Sequence, residues 1–89
     1  MVRISRTSAT RDAVTLKVEG VLVAAWVPVL EGACVGHLEE RKRVELDFED
    51  VRFIDREAAA AIRQLIARGV AIRRATPLVR ELLAGHEVA

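Results

Sequence analysis

Eighty-nine residues, 52% of them apolar, are enough for one domain around one core, and the whole span 1–89 reads as a single domain without a linker. Fourteen basic against 13 acidic side chains leave a formal net charge of +1, so no global field favours nucleic acid or a membrane surface. Trp26, Phe48 and Phe53 are the only aromatics, which leaves no stacking platform for single-stranded nucleic acid.

The chain opens with an expected strand at Val2–Thr7, a polar turn at Thr10-Arg11-Asp12, and a clearer strand at Ala13–Glu19. In the second, Val14, Leu16 and Val18 alternate with Thr15, Lys17 and Glu19. Gly20 breaks that alternation, and Val21-Leu22-Val23 leads into a helical pattern from about Ala25 to Arg41. Its apolar positions Trp26, Val29, Leu30, Ala33, Cys34, His37 and Leu38 recur at steps of three and four, which predicts one inward face, with Pro28 in the first turn. Trp26 fits either the core or an exposed anchor for a partner.

A strand follows at Val44–Phe48, then a short connector to Phe53-Ile54-Asp55. Asp55 opens a helix whose inward face is expected to hold Ala58, Ala61, Ile62, Leu65 and Ile66, with Gly69 as its C-terminal stop. The alanine run Ala58–Ala61 suits close packing against a sheet. Val70–Ile72 reads as a short strand. Thr76 and Pro77 form an N-cap and first-turn pair for a last helix bearing Leu78, Val79, Leu82 and Leu83, which ends at Gly85. The order β-β-α-β-α-β-α implies an α/β domain: an antiparallel opening pair, then parallel strands joined by helical crossovers, about four strands in all.

Cys34 is the only cysteine, so no intramolecular disulfide or cysteine-based zinc cluster can form, and the simplest setting is reducing and cytoplasmic. The first residues lack the apolar stretch of a signal peptide, and no window approaches the ~18 apolar residues of a membrane span, so direct membrane insertion is not expected. Charge is uneven along the chain. Residues 39–57 hold eight acidic and five basic side chains, whereas 58–89 hold five arginines against Glu81 and Glu87. This pattern predicts one acidic and one basic face and suits a protein partner; the cluster of Arg73, Arg74 and Arg80 would meet an acidic partner or a phosphate, or simply face water.

The candidate site is the junction at Asp55. A helix start carries unpaired N–H groups and partial positive charge, which makes it a natural seat for an anion or a regulatory charge. Asp55 is expected to cap the helix rather than act as a catalytic acid, and Glu57 already places a carboxylate in the first turn. Arg56 fits a recognition residue or a solvated arginine. Cys34 and His37 have a spacing that would permit a nucleophile–base pair or two metal ligands, but both also fit the apolar stripe, and no third ligand is evident. His86 reads as a solvated tail residue. There is no glycine-rich phosphate loop and no Ser-His-Asp arrangement, so neither catalysis nor a cofactor is expected.

Three stretches together resemble the STAS domain, the fold of bacterial anti-sigma-factor antagonists and of the cytoplasmic tails of sulfate transporters. They are Leu16-Lys17-Val18-Glu19-Gly20-Val21-Leu22, the central Val44-Glu45-Leu46-Asp47-Phe48-Glu49-Asp50-Val51-Arg52-Phe53-Ile54-Asp55, and Leu78-Val79-Arg80-Glu81-Leu82-Leu83-Ala84-Gly85. The resemblance implies a non-enzymatic regulatory module that binds a protein partner through the region Asp55, Arg56, Glu57 and Ala58. That partner would be an anti-sigma kinase-like regulator or, alternatively, the ATPase side of a bacterial ABC-type transporter of which this chain is a subunit. An exposed first strand also offers an edge for pairing into a homodimer.

In the family, the aspartate matched by Asp55 is followed by two small hydroxyl residues and a glycine, the second hydroxyl being the usual phosphoacceptor. Arg56, Glu57 and Ala58 stand there instead, and no hydroxyl side chain occurs between Thr15 and Thr76. Glu57 is then either a fixed mimic of the phosphorylated state, with one charge where a phosphoserine carries about −1.5 to −2, or a plain complement to the helix dipole. Val21 and Val23 also replace polar residues common in the family, and longer members continue past the point matching Ala89 with a further strand and helix.

Overall fold

The computed structural model describes residues 2–85, so His86 lies outside the described residues. The elements are β1 (Val2–Ala9), β2 (Ala13–Leu22), a 3-10 turn (Ala24–Trp26), α1 (Val27–Glu39), β3 (Arg43–Ile54), α2 (Arg56–Ala67), β4 (Ala71–Arg73) and α3 (Pro77–Leu83). They form one four-stranded mixed sheet in the order β1-β2-β3-β4. β1 and β2 are an antiparallel hairpin, whereas β2, β3 and β4 run parallel. The expected order and sheet type are thus those observed.

The alternation read in β2 sets the core. Val14, Leu16 and Val18 are buried, and their neighbours on the other face are only half-covered. They meet Leu30 and Cys34 of α1, Val44, Leu46 and Phe48 of β3, Ala58, Ala59, Ile62 and Leu65 of α2, and Val79 of α3. Burying each of the larger aliphatic or aromatic side chains contributes roughly 1.5–3 kcal/mol.

β3 is longer than the sequence indicates. The supposed connector Glu49–Arg52 is strand, paired with β2 as far as Leu22↔Ile54. Its buried positions explain why the alternation fails: Val44, Leu46 and Phe48 step by two, but Val51 and Ile54 follow at steps of three. Two irregularities in the β2–β3 register, between Lys17 and Glu19 and between Gly20 and Val21, absorb the extra β3 residues. Each bulge turns the next apolar residue back to the core. Gly20 does not end β2; at φ 107° it takes a conformation that suits glycine and carries the strand through the second irregularity.

Two helices keep most of the expected inner face and depart from it at the margin. In α1, Val29 is 49% exposed while Leu30 and Cys34 are buried. The helix is apolar nearly all round, so periodicity alone could not set the margin of its inner face. In α2 the inner face takes Ala59, whereas Ile66 is 43% exposed and Ala61 only half-covered. Four consecutive alanines look the same from every side. Leu78 of α3 is also exposed.

Helix ends follow local chemistry. Pro28 lies in the first turn of α1, as its fixed φ favours. Thr76 accepts a hydrogen bond from the Val79 N–H at 3.2 Å, with Pro77 opening α3. Gly69, at φ 101°, closes α2: its N–H donates to Ile66 and that of Val70 to Leu65. α1 ends with the same paired bonds, Arg41 to Leu38 and Lys42 to His37, but the left-handed position is filled by Arg41 at φ 60°.

Candidate functional site

Asp55 stands where β3, α2 and the entry to α1 meet. Its backbone is extended, and its N–H donates to the Leu22 carbonyl at 3.1 Å, which continues the β2–β3 pairing. One carboxylate oxygen, Oδ1, accepts from the Ala58 N–H at 2.8 Å, the expected N-cap bond. The other, Oδ2, accepts from the Ala24 N–H at 2.9 Å, 31 residues earlier. Asp55 therefore caps α2 and also fixes the 3-10 turn that leads into α1. Both carboxylate oxygens hold backbone amides, which leaves Asp55 a structural role in shaping the surface.

Beyond the cap, Arg56 and Glu57 are exposed, whereas Ala58 and Ala59 are buried. Ala58 enters the site only through its backbone N–H, which Asp55 already occupies. The surface offered at this helix start is thus the side chains of Arg56 and Glu57, then Ala60 one turn on. Glu57 is the acidic residue of the first turn, where it complements the helix dipole.

One stripe along the 3-10 turn and α1 carries no charge: Ala25, Pro28, Val29, Gly32 and Gly36 are exposed. A Cβ built on Gly32 or Gly36 meets nothing within 4 Å, so packing inside this chain demands glycine at neither position. Trp26 is half-buried against the core.

Cys34 and His37 do not form a reactive site. Cys34 is fully buried, and desolvation pushes its thiol up to about 11, which keeps it protonated at neutral pH. Among the described residues, the buried His37 Nδ1 has no hydrogen-bond partner. Among the described residues, no group of three His, Cys, Asp or Glu side chains could hold a metal ion. No helix among them is long and apolar enough to cross a membrane.

A second charged cluster joins Arg73 and Arg74 to acidic residues of β3 that the sequence did not mark. Asp47, only 6% exposed although it belongs to the uncovered face of the sheet, is gripped by Arg74 through Nη2 on Oδ2 and Nε on Oδ1, the latter at 3.2 Å. Asp47 Oδ1 also accepts from the Glu49 N–H at 3.0 Å, and Arg74 Nη1 reaches Glu49 at 2.9 Å. The Arg74 guanidinium, aided by that N–H, holds the Asp47 carboxyl below its ordinary range against an opposing cost of desolvation. Arg73 pairs with Glu45 at 3.1 Å and Lys17 with Asp50 at 2.9 Å. The expected split into an acidic and a basic face is corrected at this edge: parallel pairing of β3 with β4 brings Arg73 and Arg74 onto Glu45, Asp47 and Glu49, so these charges of opposite sign lie together. The available signal was an aspartate within an apolar strand.

A family model described as Mlab, STAS domain matches residues 5–88. Among solved structures, the chain is similar to the anti-sigma factor antagonist SpoIIAA in its unphosphorylated form, with a TM-score of 0.74 and 13% sequence identity over 98% of this chain and 89% of that one. It also matches an uncharacterized DUF3478-family protein with a SpoIIAA-like fold from Shewanella loihica PV-4. There the TM-score is 0.48 and the identity 20%, over 90% of this chain and 70% of that one. No curated protein matches the sequence. At these identities the structural likeness is one of fold.

Proposed function

Because the chain belongs to the STAS domain family, we propose that it is a non-enzymatic regulatory module that docks a protein partner at the start of α2, in a state no phosphorylation there can switch. The observation that carries this reading is the pairing of a rigid junction with a changed surface. Asp55 fixes the helix start through Ala58 and Ala24, and Arg56 and Glu57 project from it. Arg56, Glu57 and Ala58 offer no hydroxyl to a kinase. A partner that reads this surface meets a fixed carboxylate, smaller in charge than a phosphate and without its three-oxygen geometry.

The test is site-specific. A photo-crosslinker placed at position 57 should join the chain to its partner in cells, whereas the same group at Arg68, at the other end of α2, should not. Equal yields at both positions would remove the helix start as the docking surface. The phosphomimic version has its own test: Glu57→Ser should take up phosphate from a cognate kinase and change affinity for the partner. Unchanged affinity on incorporation would leave Glu57 as a complement to the dipole.

A second reading, a permanently bound subunit of a bacterial ABC-type transporter complex, is favoured by the uncharged stripe along α1. Lasting interfaces are more apolar than transient ones, and Pro28 and Val29 are exposed beside the same junction. Co-purification with a membrane ATPase, lost on Val29→Asp, would support it. Recovery of a soluble kinase-like partner instead would favour the first.

A further inference from the structure

We propose that the outer edge of β1 is a docking edge for an extended acidic segment of a partner protein, in which two carboxylates stand three residues apart. β1 and β4 are the edges of the sheet, and β4 is only three residues long, whereas β1 has eight. One side of β1 pairs with β2, and the other, among the described residues, presents unpaired backbone N–H and C=O groups, the template on which a further strand can assemble.

The charge along this edge is of one sign. Val2–Ala9 holds Arg3 and Arg6 and no acid. Both arginines are exposed, and among the described residues neither side chain makes a hydrogen bond or an ion pair. Arg3 is in register with Glu19 and Arg6 with Leu16, so they project to opposite faces of the strand. An incoming strand must therefore carry one carboxylate on each face, which places them three residues apart. The register irregularity between Arg6 and Ser8 confines regular pairing to Val2–Arg6.

The same charges select against a second copy of this chain. In any register, two β1 edges laid side by side bring four arginines and no acid onto adjacent strands, and like charges across a strand pair are destabilising. The homodimer that an exposed edge invites is thus disfavoured, while an acidic strand is welcomed. This surface is separate from the start of α2, and its failure would leave the docking proposal there intact.

The probe is a short capped peptide of threonine, glutamate and valine repeated twice, titrated into the full chain and followed by amide NMR and hydrogen exchange. Shifts and slowed exchange confined to Val2–Arg6 are expected, with binding weaker at higher salt. Arg3→Gln with Arg6→Gln should weaken it by on the order of tenfold, while Arg68→Gln should leave it unchanged. Equal binding of a probe with lysine in place of glutamate would overturn the proposal, as would shifts centred on α2, or no binding at millimolar probe. A concentration-dependent mass in the wild type that disappears on Arg6→Asp would assign the edge to a second copy and likewise overturn it.

Discussion

Asp55→Ala should destabilise the domain by more than the loss of a helix cap. Two backbone amides depend on the carboxylate, that of Ala58 at 2.8 Å and that of Ala24 at 2.9 Å. Losing an N-cap costs about 0.5–2 kcal/mol. Losing a charged acceptor from a part-buried amide adds roughly 1.5–3 kcal/mol if no water replaces it, less to the extent that one does. A total near 2–4 kcal/mol is a large share of the ~5–13 kcal/mol expected of a domain this size. Asp55→Asn and Asp55→Ser each retain one good acceptor oxygen, so both should fall between the wild type and alanine. Urea denaturation gives the ordering, with an unchanged slope as the check that the unfolded state is the same. Hydrogen exchange at Ala24 provides the local signature: its amide should lose protection in Asp55→Ala through opening of the 3-10 turn, with strands β2 and β3 less affected. If Asp55→Asn costs as much as alanine, or if Ala24 exchanges as in the wild type, the double anchoring is refuted.

Arg41 occupies a left-handed position at φ 60° that glycine fills without strain, so Arg41→Gly should stabilise by up to about 1 kcal/mol, read as a higher urea midpoint. Gly69→Ala should do the opposite, costing on the order of 1 kcal/mol at φ 101° even though its Cβ would have open space. The Asp47 carboxyl is held below its ordinary value in the folded state, so the stability it lends is present above the unfolded value of about 3.9 and is lost as pH falls through the lower folded one. The stability gap between wild type and Asp47→Asn should therefore narrow below about pH 4; a constant gap from pH 7 to pH 2 would count against the pairing with Arg74. The Cys34 thiol, buried and pushed up to about 11, should react with a thiol reagent only as fast as the domain opens, and a rapid reaction in the native state would contradict its burial.

What the sequence determined by itself is what neighbouring residues decide among themselves. Asp55 and Thr76 cap helices because their side chains reach an amide three residues on, and Gly69 stops α2 because its own φ is positive. The alternation of Val14, Leu16 and Val18 is strong enough to define a strand with one covered face. The element order and the α/β class follow from those local signals, and the absence of a hydroxyl beside Asp55 is visible without coordinates.

Tertiary structure decided whatever depends on distant residues. Glu49–Arg52 resembles a turn, yet pairing with β2 holds it extended and moves the extra residues into bulges. The margins of the inner faces of α1 and α2 were undetermined while one helix was apolar nearly all round and the other carried four alanines in a row. Packing on the sheet settled them by leaving Val29 and Ile66 outside. The bond from Ala24 to Asp55 spans 31 residues, and the grip of Arg74 on Asp47 spans 27. No local pattern encodes either, because each exists only once parallel strands have brought their ends together; that is why the helix start was legible as a cap but its anchoring to α1, and the paired charges between β3 and β4, were not.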